Sequence, residues 1–234
     1  MEIIADMHCH TVASGHAYST VVENARVAKE KKMWAIAITD HTGVIPDSPS
    51  SWYFDNLKVL PDKIFGVKIF KGIETNVVDK NGNIDLPSLK IDLDWVIASI
   101  HAFSFQKEHG ITECTKAWIG VANNPIVDVI GHSGTVGFEY DFEKVIPIFK
   151  KNNKIVEINA SSYRSRPGSE KNCIRIAELC KKYKVPVIVN SDAHFCDNVG
   201  DFDMALKVLE SVNFPKELVV NSNIEHFQKY TNLV

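Results

Sequence analysis

The 234-residue sequence contains no Cys-x-x-Cys pair. Its five cysteines (Cys9, Cys114, Cys173, Cys180 and Cys196) form an odd, scattered set. A disulfide framework is therefore not expected, and reduced thiols in a cytoplasmic setting are the simplest reading. No apolar run approaches the length that spans a bilayer, so a membrane helix is excluded from the reading. The start, Met1-Glu2-Ile3-Ile4-Ala5-Asp6, is acidic within two residues and has no basic stretch, unlike a secretory signal. Positive charge is not in excess: 26 Lys and Arg against 29 Asp and Glu leave a net charge of -3. That argues against bulk attraction to nucleic acid or membrane, and the one local cluster, Lys29–Lys32, falls at a helix end. No Gly-x-Gly-x-x-Gly follows the first apolar run and no Walker A sequence occurs, which leaves both modes of nucleotide cradling unsupported. No repeat, low-complexity tract or linker divides the chain, and residues 1–234 are read as one domain.

What is present is a regular alternation. Seven short runs rich in Ile and Val read as strands: Glu2–Met7, Ala35–Thr39, Ile69–Val77, Leu93–Ile100, Val127–Gly131, Ile155–Ala160 and Val185–Ser191. Near-continuous apolar runs suit strands covered on both faces, as in a parallel sheet. Helical stretches lie between them. Thr20–Met33 puts Val21, Ala25 and Ala28 on one face. Ser169–Tyr183 spaces Cys173, Ile176, Ala177 and Cys180 at helical intervals, with Ser169 as N-cap. Asp141–Lys151 also reads as helix, with a kink or late start expected at Pro147. Residues 42–60 read as a long irregular loop. Such strand–helix units build either a doubly wound sheet or a closed β/α barrel.

The chemistry-bearing residues fall at the strand ends. His8 and His10 close the first strand, and His16 follows in the next loop. His41 closes the second, Glu74 lies near the end of the third, His101 closes the fourth and His132 the fifth. Asp192 and His194 close the seventh. In a β/α barrel all these ends open on one face, which carries the active site. Residues i and i+2 of a strand point to the same side, so His8-Cys9-His10 aims two imidazoles together, as Asp192-Ala193-His194 aims a carboxylate and an imidazole. Imidazole and carboxylate are ligands of zinc and similar divalent ions. Nine ligands exceed one tetrahedral ion and suit two or three. A single histidine at a strand end is commonly a polar end-cap, but seven of nine histidines in such places are not explained that way. Structural zinc sites are typically cysteine-rich and compact in sequence, unlike this dispersed set. His109 and His226 fall outside the pattern.

These residues, taken as Asp6-Met7-His8-Cys9-His10-Thr11, His16, Thr39-Asp40-His41, Gly72-Ile73-Glu74, His101, Gly131-His132 and Ser191-Asp192-Ala193-His194, resemble the PHP (polymerase and histidinol phosphatase) superfamily. Residues 12–20, together with Asn159-Ala160-Ser161-Ser162 and the run from Arg166-Pro167-Gly168 to Cys173, look closer still to its YcdX-type phosphatase branch. The resemblance spans about residues 5–232. It implies a distorted TIM-like barrel of seven β/α units with a trinuclear site at the C-terminal face of the strands, usually zinc, sometimes manganese or iron. By the same resemblance one ion would take His8, His10, Glu74 and Asp192, a second Glu74, His101 and His132, and a third His16, His41 and His194. Many relatives carry Pro after the fifth-strand histidine, where this chain has Ser133-Gly134, so the fit of the Ser133–Tyr140 loop to substrate is left open.

The chemistry expected is hydrolysis of a phosphomonoester of a small metabolite by a metal-bridging hydroxide. Divalent ions neutralise phosphate oxygens and lower the pKa of bound water from 15.7 toward about 7. Asp40 is expected to orient a ligand histidine, and Asp192 is a candidate proton relay as well as a ligand. Arg164, Arg166 and Ser161, in the loop after the sixth strand, are candidates for gripping the phosphate, with Arg166 favoured. Trp52 and Tyr53 are read as aromatics covering the core, with the rim, shared with His109, as the other option. A phosphodiesterase or nuclease, which would need a groove with a basic stripe, and a non-catalytic metal-bearing module are the alternatives. Self-association is compatible with the sequence, which fixes neither the substrate, the metal nor the oligomeric state.

Overall fold

A computed structural model of the chain describes residues 1–105, 110–231 and 233. Its sheet contains β1 (Ala5–Cys9), β2 (Ala35–Ile38), β3 (Lys63–Ile64), β4 (Val67–Asn76), β5 (Trp95–Ser99), β6 (Val129–Ile130), β7 (Ile155–Asn159) and β8 (Val187–Asn190). Seven of these pair in parallel in the order β1-β2-β4-β5-β6-β7-β8, and β3 is a short antiparallel spur on β4. The seven expected strands are therefore the seven barrel strands, with most ends trimmed by one to three residues, while β1 runs two residues further, to Cys9, and β4 starts two residues earlier, at Val67.

The barrel is closed unevenly. Among the described residues β1 and β8 share no ladder, and Cys9 at the end of β1 bridges in parallel to Ala193, three residues beyond β8. Side-chain amides fill the seam instead. Asn221 donates to the carbonyls of Ala5 and Val189 and accepts from Val189 N, while Asn190 accepts from Met7 N at 3.0 Å. Two amide side chains thus satisfy backbone groups that a ladder would otherwise pair.

Helices α1 (Val21–Glu30), α2 (Ser51–Asp55), α3 (Ile111–Asn123), α4 (Phe142–Lys151), α5 (Ser162–Ser165), α6 (Glu170–Tyr183), α7 (Asp203–Ser211) and α8 (Ile224–Thr231) complete the fold. Thr20 and Glu23 form a reciprocal capping box that starts α1. Asp141 caps α4, which continues through Pro147 to Lys151, so the proline neither delays nor ends it. Ser169 precedes α6 but does not cap it with its side chain; its hydroxyl accepts from Val136 N. That contact rests the 133–140 loop on the start of α6. Residues 42–60 are less irregular than expected. They include α2 and a 3-10 turn at Leu57–Val59, and bury Phe54 and Leu57.

Alternation along the strands sorts two apolar layers. Ile36, Ile38, Ile73, Val96, Ala98, Val156, Ile158, Val187 and Val189 face the helices. Ala5, Met7, Ala35, Ala37, Phe70, Trp95, Ile97, Val129, Ile155 and Ile188 fill the barrel interior. Phe227 of α8 belongs to that inner group and stops the end where the strands begin. Its ring lies 5.2 Å from Trp34 and 5.7 Å from Phe70.

Candidate metal centre

Past the apolar layers, the same inward-facing positions become polar. On β4 the series Phe70, Gly72 ends in Glu74 and Asn76. On β5, Trp95 and Ile97 give way to Ser99, and on β7 Ile155 gives way to Glu157 and Asn159. β1 needs a correction to reach the same face. Ala5 and Met7 point inward, so strict alternation would aim Cys9 inward as well. A register shift between Asp6 and Cys9 in the β1–β2 pairing changes this parity. Cys9 joins the outer layer, and the buried imidazoles of His8 and His10 meet with their Nε2 atoms 3.1 Å apart.

Glu74 sits at the centre, fully buried. Its Oε2 lies 3.3 Å from His8 Nε2, 3.5 Å from His10 Nε2 and 2.8 Å from His41 Nδ1. Its Oε1 lies 3.0 Å from His132 Nε2 and 3.6 Å from His101 Nε2, and accepts from the Ser99 hydroxyl at 2.6 Å. Asp192 Oδ1 is 3.5 Å from His8 Nε2 and 3.2 Å from His10 Nε2. His16 Nε2 and His194 Nε2 approach to 3.0 Å. All nine candidate ligands thus line one mouth. Among the described residues, three groups each bring their potential ligand atoms within 4.8 Å of one another: His8, His10 and Glu74; His41, Glu74 and His101; and His10, His41 and His194. The last differs from the grouping expected for a third ion, because His10 stands where His16 was placed. His16 lies in an exposed loop and stacks on His41 at 5.1 Å.

The residues fit divalent cations on chemical grounds. Among the described residues, His41 Nδ1, Glu74 Oε2 and His101 Nε2 are buried without a hydrogen-bond partner. His41 Nδ1 and Glu74 Oε2 are close but misaligned for a hydrogen bond. Orphaned polar atoms are costly in a protein interior, and these three belong to one candidate group. Most of the imidazoles are also held from behind. His8 Nδ1 faces Glu157 at 2.7 Å, His101 Nδ1 faces Asn76 Oδ1 at 2.7 Å, and His10 Nδ1 faces the Ser14 hydroxyl at 3.3 Å. A partner on Nδ1 leaves Nε2 for the mouth, the arrangement that orients metal-binding histidines.

Charge is balanced to match. Burial alone would raise the Glu74 and Asp192 carboxyls, but neighbouring histidines, with Arg166 at Asp192, hold both well below the usual range. Burial lowers His10 well below a normal imidazole, and the adjacent His194 and His41 lower it further. Burial also keeps His101 and His132 low. His8 is the exception. Burial lowers it, but Glu157, Glu74 and Asp192 more than offset this and raise it. Ionised carboxylates and neutral imidazoles are the forms that bind metal. Two candidate ligands carry backbone strain: His132 has φ 23° and Asp192 φ 56°, a region that disfavours side-chain-bearing residues.

Among the described residues, the Asp40 carboxylate hydrogen-bonds no histidine. Its carboxylate accepts from Thr11 N, from the Thr11 and Ser14 hydroxyls and from the Tyr53 hydroxyl at 2.6 Å. It reaches His10 only through Ser14. Tyr53 is thus part of this network, while Trp52 is 79% exposed and does not cover the core. His109 lies outside the described residues. Arg166 Nη2 is 3.1 Å from Asp192 Oδ2, and Arg164 pairs with Asp201 at 2.6 Å. A cavity of about 380 Å³ opens over the cluster, lined among others by His16, His101, Ser161, Arg164, Arg166 and Asp192. The Ser161 hydroxyl there contacts Ser165 at 3.1 Å.

Two supporting carboxylates had gone unread in the sequence. Asp85 accepts from Asn76 N and Asn76 Nδ2, and so anchors the partner of His101. Glu157 backs His8. Its signal was a lone acid at an inward position of an apolar strand.

Comparison with known proteins agrees with this architecture. A PHP domain family model matches residues 6–161. A protein of Caldanaerobacter subterraneus subsp. tengcongensis, named a probable phosphatase, is 47% identical over 232 residues, 98% of this chain and 91% of its own. Among solved structures, histidinol phosphate phosphatase of Lactococcus lactis, complexed with zinc, L-histidinol and phosphate, superposes with a TM-score of 0.64 at 17% identity, covering 90% of this chain and 94% of its own. A chain in the structure of archaeal ribonuclease P with mature tRNA superposes at 0.58 and 14% identity, covering 97% and 90%. At such low identity these two speak for the TIM-like barrel fold alone. The family-model match and the high identity along almost the whole length place this chain in the PHP domain family.

Proposed function

We propose that this protein is a metal-dependent phosphatase that hydrolyses a phosphomonoester of a small metabolite. The observation that carries the reading is the convergence of seven histidines, Glu74 and Asp192 on one mouth beneath a cavity holding Arg164 and Arg166. The probable-phosphatase name of the 47% identical relative supports the reaction class. His8, His10, Glu74 and Asp192 would hold one ion, Glu74, His101 and His132 a second, and His41 and His194, with His10 or His16, a third; zinc is the first candidate. Divalent ions bound there would neutralise phosphate charge and lower the pKa of water, the chemistry that phosphomonoester hydrolysis requires.

The chain's own groups do the rest. The Arg166 guanidinium, now on Asp192, is placed to turn to a phosphate oxygen, because both face the same cavity. Arg164, half-exposed and paired with Asp201, sits farther out and suits the non-phosphate part of a substrate or its phosphate on entry. Thr11, Ser14 and Tyr53 fix Asp40, and through Ser14 the ring of His10. A cavity of about 380 Å³ suits a small molecule.

The test is phosphate release from p-nitrophenyl phosphate and bis-p-nitrophenyl phosphate, side by side, with a chelated control. Chelator-sensitive turnover of the monoester is expected. Preference for the diester would favour a phosphodiesterase, and no turnover of either would favour a non-catalytic module. Arg166→Ala is expected to lower kcat/KM about 10–100-fold, the worth of a charge-assisted hydrogen bond, with metal content unchanged.

A further inference from the structure

One fully engaged acid at the mouth lies outside the ligand set. Glu157 of β7 has a fully buried side chain, and both its oxygens are saturated by donors from three other places in the chain and one from its own strand. Oε1 faces His8 Nδ1 at 2.7 Å and accepts from Asn190 Nδ2 at 2.9 Å. Oε2 accepts from the His132 backbone N–H at 2.8 Å and from Asn159 Nδ2 at 3.1 Å. Nothing in this arrangement leaves a lone pair aimed at an ion.

We propose that Glu157 is a positioning residue that sets two candidate ligands at once, the ring of His8 and the backbone of His132; this rests on the metal-centre reading above. Its contact fixes the His8 proton on Nδ1, so that Nε2 presents its lone pair toward Glu74, His10 and Asp192. Its bond to His132 N–H holds that residue at the strained φ of 23° from which Nε2 reaches Glu74. A carboxylate in this position tunes and orients a ligand without binding the ion.

Only a carboxylate satisfies the four donors. Glutamine has the same shape but one oxygen and one NH2. Turned one way, its NH2 meets His8 Nδ1–H and Asn190 Nδ2; turned the other, it meets His132 N–H and Asn159 Nδ2. The two asparagines cannot flip to relieve this, because Asn190 Oδ1 accepts from Met7 N and Asn159 Oδ1 accepts from Ser162 N. The least costly escape moves the His8 proton to Nε2, which removes that nitrogen from the ligand set.

The test is a zinc titration against a competing chelator on wild type and Glu157→Gln, with folding of each followed by circular dichroism. The variant is expected to hold one ion about 10–100-fold more weakly. Because a buried substitution can fail to fold, the proton position is also read on zinc-loaded wild type by 15N NMR of labelled histidine. A His8 ring with its proton on Nδ1 is expected. Equal zinc affinity in wild type and a folded variant, or a His8 proton on Nε2 in wild type, would overturn the role of Glu157 while leaving the metal centre standing. Wild type that binds no zinc would overturn the metal reading itself, and this proposal with it.

Discussion

The two ends of the barrel are built from the same strands and the same alternation, yet they hold opposite chemistry. At the N-terminal end the inward residues are Ala35, Phe70, Trp95, Ile155 and Ile188, closed over by Phe227 of α8. At the C-terminal end they are Glu74, Ser99, Glu157, Asn159 and Asn190, with the histidines beyond. The first end gains free energy by removing apolar area from water. The second buries carboxylates and imidazoles that cost free energy unless something pairs them. Stability and chemistry are thus separated by two residues on β5, β7 and β8 and by four on β4.

Substitutions at either end should therefore fail in different ways. Glu74→Gln is expected to have the largest effect, lowering phosphatase activity by about 1,000-fold or more through loss of the carboxylate proposed to serve two ion positions. The unfolding midpoint of the metal-free protein should move little. Retained activity in that variant would break the division at its polar end. Phe227→Ala should do the reverse, costing about 3–5 kcal/mol of stability as a buried aromatic is lost. Thermal unfolding should shift, while metal content and activity at low temperature should hold. Gly131→Ala sharpens the boundary between the ends. A Cβ there would sit 2.1 Å from Ser99 Oγ, which donates to Glu74. Stability is expected to fall by about 1–3 kcal/mol and metal to bind more weakly, read by unfolding and zinc titration together.

The smallest effect is a pH dependence at the apolar end. Asp128, just before β6, is pushed up to about 6 by burial, against weaker opposition from Val96 N–H and Lys154. A carboxyl raised on folding favours the protonated folded state. Its contribution is present below its ordinary pKa of 3.8 and is lost as pH rises through about 6. Asp128→Asn should remove that loss, so its stability relative to wild type should rise between pH 4 and 6 by about 1–2 kcal/mol, after discounting partial exposure. Denaturation midpoints at several pH values in chelator would show it; parallel curves would reject it.

Much of this division was legible in the sequence. The seven apolar runs marked the barrel strands, and histidines spaced far apart gained meaning from their shared position at strand ends. Three things were not legible, each for a physical reason. The seam between β1 and β8 is closed by the side chains of Asn190 and Asn221, and no periodicity marks an amide that imitates a strand. The parity change in β1 is a shift of register, visible only in the pairing with β2. Glu157 and Asp85 are read as important only once their donors are in place, since a single acid in a strand or turn has no pattern of its own. Asp40 shows the converse: the sequence placed it beside His41, while the fold turns it toward Thr11, Ser14 and Tyr53.

Elemental analysis of the purified protein, with metal counted per chain in wild type and Glu74→Gln, tests whether the polar end is a multinuclear metal centre. Two to three zinc-class ions are expected in wild type and at least one fewer in the variant. One ion or none in wild type after reconstitution with zinc, or an equal count in both proteins, would contradict it.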